Sequence, residues 1–256
     1  MAFTRDQILE LYRSEATKHG DAGTSTIQDI RTRQLELQAL SSYMADGISV
    51  LEVGCGNGFT AQVLAQQFDL RLDAFDFSPE MIAIAEQRRI DGARGRVRFF
   101  QQDVLTYRGE AQYDLCFTER CLQNLTSWED QQRGLANVVS AIRPGGEFVM
   151  LEGFKKGLAT LNAARAEIGL PAIPEPWHNL FFEEEAVKQH LASLGCAYLD
   201  ENPFLSGYYF GSRVLYPALL PEGKTATSSS ILNDYFAHLP PHGDFCPMKI
   251  LRFRRS

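Results

Sequence analysis

The sequence predicts an α/β protein built on a parallel, doubly wound sheet. Three observations carry that prediction. Short apolar runs of strand type alternate with helical stretches from residue 48 to residue 152. The first run leads into a glycine-rich turn, Gly54-Cys55-Gly56-Asn57-Gly58, and the second ends in an acid, Asp76. Strands separated by helices imply parallel pairing with right-handed crossovers.

Thr4 and Gln7 form a capping-box pattern ahead of Ile8, Leu11 and Tyr12, so a first helix runs to about Lys18 and ends near Gly20. A loop rich in Gly, Ser and Thr follows. A second helix carries Leu35, Leu37, Leu40 and Tyr43, stops around Asp46-Gly47, and hands over to a strand from Ile48 to Val53. Arg71 to Asp76 reads as the second strand, and Ser78-Pro79 starts a helix through Met81, Ile82 and Ala85, with proline suited to the first helical position. Arg96 to Gln101 and Tyr113 to Thr118 are the third and fourth strands. Ser127 then caps a helix whose Leu135, Val138, Val139 and Ile142 recur at helical spacing. Pro144-Gly145-Gly146 turns into a fifth strand ending at Glu152. About thirty residues rich in Gly, Pro and aromatics follow, then a helix from the Glu183 acidic start to Leu194, a sixth strand from Cys196 to Phe204, a long connection, and a last strand from Met248 to Phe253. The chain therefore reads as a single domain over 1–256: N-terminal helices over 1–46, a nucleotide-binding core over 47–152, and insertions over 153–182 and 205–246 that cap one end of the sheet.

At 256 residues and 45% hydrophobic, the chain can bury an enzyme-sized core. A formal charge of -7 leaves no general basic field for a phosphate backbone, which argues against nucleic acid as a partner. Five cysteines, an odd number without a CxxC pair, point to reduced thiols rather than a disulfide framework or a zinc site, so no metal is expected. With no signal-length apolar segment and no run long enough to span a membrane, the expected location is cytoplasmic, with no membrane partner. Monomer and homodimer both remain open.

In an open α/β sheet the ligand binds at the carboxyl ends of the strands, where the turn after the first strand must let backbone approach it. Gly54, Gly56 and Gly58 permit that approach, and Glu52 precedes them. A nicotinamide-binding GxGxxG turn would need glycine at position 59, where Phe59 stands. Asp76, at the end of the second strand, can accept hydrogen bonds from both hydroxyls of a ribose, though it also suits a helix cap before Ser78. Asp103, after the third strand, can accept from an adenine amino group or stand as a solvated loop acid.

These residues resemble the class I S-adenosylmethionine-dependent methyltransferases over residues 48 to 152. The resemblance rests on Val50 to Gly58, Asp76-Phe77-Ser78-Pro79-Glu80-Met81, Gln102-Asp103-Val104, Tyr113-Asp114-Leu115 and Arg143-Pro144-Gly145-Gly146. It implies a Rossmann-like, seven-stranded doubly wound sheet with the last strand antiparallel, and S-adenosyl-L-methionine as cofactor with S-adenosyl-L-homocysteine as product. It also implies a cofactor set of Arg33, Glu52, Gly54, Cys55, Gly56, Asn57, Gly58, Asp76, Phe77, Met81, Asp103, Val104, Thr118 and Glu119. Within that set the turn abuts the methionine part, the acid at Asp76 binds ribose, and Asp103 and Val104 meet adenine. Arg33 stands where related enzymes put an arginine against the cofactor carboxylate, and a solvated helix arginine is the other reading. The segments Glu119 to Leu125 and Trp177-His178-Asn179-Leu180, with Tyr208-Tyr209-Phe210, look like bacterial methyltransferases of sugar and small-metabolite biosynthesis. The NPPY-type tetrapeptide of nucleic-acid amino methyltransferases is absent after the fourth strand, where Thr118-Glu119-Arg120-Cys121 stands.

Methyl transfer from a sulfonium is an in-line displacement, so the protein must position the acceptor and exclude water, and a hydroxyl or protonated amine also needs a base. The base candidates are Glu119, directly after the fourth strand, and His178. Glu119 can instead hold Arg120 in an ion pair, and His178 can be a packed loop residue. Arg120, Trp177, His178, Asn179, Tyr208, Tyr209 and Arg213 are the expected acceptor-side residues, with arginine favouring an anionic small molecule and sheet-edge packing as the other reading of the tyrosines. The function expected is methyl transfer to oxygen or nitrogen of a polar, anionic sugar, nucleotide sugar or natural-product metabolite. The competing expectation is a cofactor-binding sensor or partner protein that has lost transfer.

Overall fold

Thr4 opens the first helix, α1 (Arg5–His19), as a closed capping box: its side chain accepts from the Gln7 N–H while the Gln7 side chain accepts from the Thr4 N–H. Asp29 caps α2 (Ile30–Ser41) by accepting from Arg31 and Thr32. The computed structural model describes residues 3–20, 22, 27, 29–88, 92–221 and 223–256. Most of the Gly/Ser/Thr-rich loop expected between α1 and α2 lies outside the described residues.

The core alternates β1 (Ser49–Val53), α3 (Phe59–Gln67), β2 (Arg71–Asp76), α4 (Pro79–Gln87), β3 (Arg96–Gln101), β4 (Tyr113–Glu119), α5 (Trp128–Ala141) and β5 (Ile142–Gly153). Ser78 caps α4 with proline at its start, and Ser127 caps α5. After β5 come α6 (Lys155–Glu167), α7 (Glu184–Ser193), β6 (Cys196–Asn202), α8 (Ser206–Phe210), a π turn (Gly211–Leu215), α9 (Tyr216–Leu219), α10 (Ile231–Ala237) and β7 (Met248–Arg255). The seven strands lie in the order β3-β2-β1-β4-β5-β7-β6, with β7 antiparallel to both neighbours. The expected seven-stranded sheet with an antiparallel last strand is thus present. Among the described residues no helix is long and apolar enough to cross a membrane.

Strand periodicity sorts the core onto the two faces of the sheet. Leu51 and Val53 pack with Leu135 and Val138 of α5, whereas Val50 packs with Ala61 and Leu64 of α3 and Leu40 of α2. Glu52 alternates onto the same side as Val50 and is buried there. The chain winds one way through β1, β2 and β3 and the other way through β4 and β5. The carboxyl ends of β1 and β4 therefore flank the switch point, the position where open α/β sheets bind ligands.

Two local expectations need correction. The segment 153–182 contains a regular helix, α6, directly after β5; Gly157 near its start and a Phe154 N-cap that makes no side-chain cap bond hide it from sequence patterns. The Pro144-Gly145-Gly146 turn is a slip within β5, whose pairing with β4 shifts between Tyr113 and Leu115. The insertion 205–246, read only as a long connection, is helical over 206–219 and 231–237.

Candidate functional site

Two short turns build one end of a cavity of about 420 Å³ at the switch point. After β1, Gly56 has φ 52°, and a Cβ added there would meet nothing within 4 Å, so the glycine leaves bare backbone facing open space. After β2, Asp76 is held by its own surroundings: Oδ2 accepts from the Gly56 N–H at 2.9 Å and Oδ1 from the Ser78 N–H at 2.9 Å. Both expectations for Asp76 meet in this geometry, since the carboxylate trims the start of α4 and also faces the cavity. Burial pushes its carboxyl up to about 6, against which the backbone donors at Ser78 and Gly56 act. Phe77, Asp103 and Val104 line the same end. Asp103 pairs with Arg5 of α1 and accepts from the Leu105 N–H at 2.9 Å.

Beneath the turn lies a buried ionic network. Arg33 of α2 donates to Glu119 Oε1 at 2.7 Å, and Thr60 Oγ1 donates to Glu119 Oε2 at 2.6 Å. Arg120 faces Glu36 at 3.0 Å, and Glu36 is fully buried. Glu119 thus pairs with Arg33 rather than with Arg120. Glu52, without exposure and near the Glu119 carboxylate, is pushed well above the usual carboxylate range, chiefly by burial. Four of these five charged groups come from β1, α2 and the end of β4, which is how α2 becomes part of the site.

The opposite end of the cavity is assembled from distant segments. Glu152, buried at the end of β5, accepts from the N–H groups of Cys121, Leu122 and Gln123 at 3.1, 2.9 and 3.1 Å and fixes the turn after β4. The Leu180 N–H donates to the Gln123 carbonyl at 2.6 Å, which ties the 177–182 segment to that turn. His178 and Asn179 face the cavity as a result. His178 Nδ1 and Asn179 Oδ1 are buried and have no hydrogen-bond partner. Burial, then the Arg120 guanidinium, pushes the His178 pKa down, which favours the neutral imidazole. Tyr209 and Arg213 close this end, with the guanidinium 5.1 Å above the Tyr209 ring and 3.2 Å from Asp29.

Five expected site residues lie off the cavity. Gly58 serves packing: a Cβ there would sit 2.7 Å from the Phe99 ring and 2.8 Å from Ala85. Met81 and Thr118 are fully buried in the core. Tyr208 is buried and donates its hydroxyl to Asp29 at 2.6 Å, so packing is its role. Trp177 is 58% exposed and points away, edge-on to His178. Asn57 lines the cavity, and its amide holds the Gly20 and Ala22 carbonyls at 3.0 Å, linking the glycine turn to the end of α1.

Sequence patterns missed Arg5, Ile8 and Tyr12, by which α1 covers the cavity. Tyr12 pairs with Asn124 at 2.6 Å across 112 residues, and no local signal marks such a contact. Leu158 and Leu161 of α6, with Ile173 and Phe181, supply an apolar wall. Glu152 had a visible signal: like Asp76, it is an acid closing an apolar strand at the ligand end of the sheet.

Comparison with known proteins meets this geometry at the same residues. A family profile described as a methyltransferase domain matches residues 50–146. Residues 50–146 form a methyltransferase domain. Its match to phosphoethanolamine N-methyltransferase 2 of Caenorhabditis elegans is 30% identical over 43% of this chain and 25% of that protein. Its match to a malonyl-[acyl-carrier protein] O-methyltransferase of Paenibacillus sp. is 32% identical over 46% of this chain and 44% of that protein. The chain spans less than half the length of both relatives. A solved structure of magnesium protoporphyrin IX methyltransferase from Synechocystis, with bound S-adenosylhomocysteine, shares the fold at a TM-score of 0.59 and 18% identity, covering 98% of this chain and 95% of that one. The methyltransferase domain takes S-adenosylmethionine as its cofactor. The open backbone at Gly56, the carboxylate of Asp76 and the flat face of Phe77 fit a nucleoside with a charged amino-acid tail.

Proposed function

We propose that this chain transfers a methyl group from S-adenosylmethionine to oxygen or nitrogen of a polar, anionic small molecule such as a sugar, a nucleotide sugar or a natural-product metabolite. One observation carries the reading. His178 lines the same cavity as Gly56 and Asp76, and its Nδ1 is buried without a partner. A neutral imidazole with a free acceptor nitrogen is the group that takes a proton from a hydroxyl or an ammonium as it is methylated.

When bound, the cofactor supplies an electrophilic methyl group on a sulfonium. Asp76 would accept from the ribose hydroxyls, Asp103 and Val104 would border the adenine, and the turn from Gly54 to Asn57 would border the methionine part. The two oxygens of Glu119 are both engaged, by Arg33 and Thr60. Glu119 therefore acts as a positioning residue that holds Arg33 at the cavity wall, and the proton falls to His178. Asn179 and Arg120 orient the acceptor. The helix α1 and the apolar wall from α6 exclude water, which strengthens each polar contact inside.

The test is transfer of label from methyl-tritiated S-adenosylmethionine into a fractionated small-metabolite extract. The expected result is a labelled anionic product that requires the intact chain. Tight binding of S-adenosylhomocysteine with no labelled product from any fraction would favour the other reading, a cofactor-binding sensor without transfer.

A further inference from the structure

Beside the acceptor end lies a second cleft between α6, the π turn and the loop before α10. It shares Ile173 and Arg213 with the main cavity. Two arginines line it, Arg165 and Arg213, close enough for their charges to act on each other. Arg213 is partly neutralised by Asp29 at 3.2 Å. Arg165 differs. Only 9% of it is exposed, and its partners are carbonyl oxygens: Nε donates to Pro171 O at 2.8 Å and Nη1 to Arg213 O. Among the described residues no carboxylate pairs with it.

A buried guanidinium without a counter-charge is costly, and a second guanidinium beside it raises the cost. The neighbouring Arg31 does not add a free charge, since it is paired with Asp234. Burial, then Arg213, pushes the Arg165 pKa down, in keeping with like charges brought together. The rest of the lining is of matching chemistry. Thr227 and Ser228 are exposed hydroxyl residues at the mouth, and Asn233 holds their carbonyls at 3.0 and 3.3 Å. One arginine fork satisfies both oxygens of a carboxylate. The N–H groups that the two arginines do not spend on the carbonyls and on Asp29, together with the hydroxyl rim, exceed that and match the three terminal oxygens of a phosphoryl group.

We propose that this cleft binds a phosphoryl group carried by the methyl acceptor, held by Arg165 and Arg213 at a distance from the atom that is methylated. The inference rests on the methyl-transfer reading above for its source, and on the cleft alone for its chemistry. The acceptor is then a phosphate ester or diphosphate whose apolar or sugar body lies against Ile173.

Equilibrium dialysis of radiolabelled inorganic phosphate against the full chain saturated with S-adenosylhomocysteine tests the cleft. Saturable binding is expected, weakened about tenfold or more in Arg165→Gln, the effect of losing one charge-assisted contact. Ser228→Glu, which leaves the Arg165 contacts to backbone intact, is expected to abolish it by bringing a carboxylate to the rim. Affinity for S-adenosylhomocysteine stays the same in both variants. No saturable binding, or binding retained in both variants, overturns the assignment. Phosphate added to the label-transfer assay separates the sources: a fall in labelled product marks the group as the acceptor's own, and undiminished transfer overturns that part. Absence of all transfer alongside intact phosphate binding would count against the methyl-transfer reading and leave the cleft standing.

Discussion

At the β1–β2 end of the cavity, Gly56 and Asp76 meet across 20 residues of sequence, and two turns complete the wall. At the other end, Tyr12, Asn124, His178 and Arg213 arrive from four separate segments. The first end is a consequence of strand and turn chemistry, which parallel sheets repeat wherever they bind a nucleoside. The second exists only once α1, the 177–182 segment and the π turn have packed. The end proposed for the cofactor is thereby fixed by the fold, and the end proposed for the acceptor is free to vary.

If the two ends divide the work as proposed, variants should separate cleanly. The largest effect is expected from His178→Ala: methyl transfer should fall by about 10²- to 10⁴-fold, the usual contribution of a general base. Single-turnover label transfer measures it, and a rate within a few fold of the parent would remove His178 from the chemistry. Asp76→Ala comes next. It should weaken S-adenosylhomocysteine binding by about ten- to a hundredfold, the loss of hydrogen bonds to a charged acceptor. The same carboxylate gives this end a pH dependence. With its pKa raised to about 6, Asp76 is protonated below that value and accepts poorly, so affinity should climb as pH rises through about 6 and then level off. Asp76→Asn should flatten that climb.

Gly58→Ala should sharpen the contrast between shape and chemistry. The residue has φ 73°, and its missing Cβ makes room for Phe99, so stability should drop by about 1–3 kcal/mol in a denaturant titration. Cofactor affinity of the folded fraction should survive. The smallest effect belongs to Trp177→Ala. Exposed and off the cavity, it should change stability by no more than about 0.5 kcal/mol and leave transfer intact. A marked loss of transfer would bring Trp177 into the acceptor site.

The division also explains what could be read before the structure. The glycine turn, Asp76, Ser78-Pro79 and the alternation of strands are local patterns, and each stands where the pattern put it. The antiparallel β7 followed from resemblance to a family rather than from periodicity. What escaped was long-range. Arg33 reads as a solvated helix residue or a cofactor ligand until Glu119 is seen 2.7 Å away. Tyr208 and Tyr209 are adjacent in sequence, yet helical geometry sends one into the core and the other to the cavity. The arginine of the second cleft, Arg165, sits on a helix that Gly157 and an uncapped start concealed.

Calorimetric titration of S-adenosylhomocysteine into the parent chain, Asp76→Ala and His178→Ala, side by side at pH 7.5 or above, tests the central claim most directly. The account predicts binding to the parent, a loss of about tenfold or more in Asp76→Ala, and parent-like affinity in His178→Ala. No binding to the parent at millimolar concentration, or equal losses in the two variants, would contradict it.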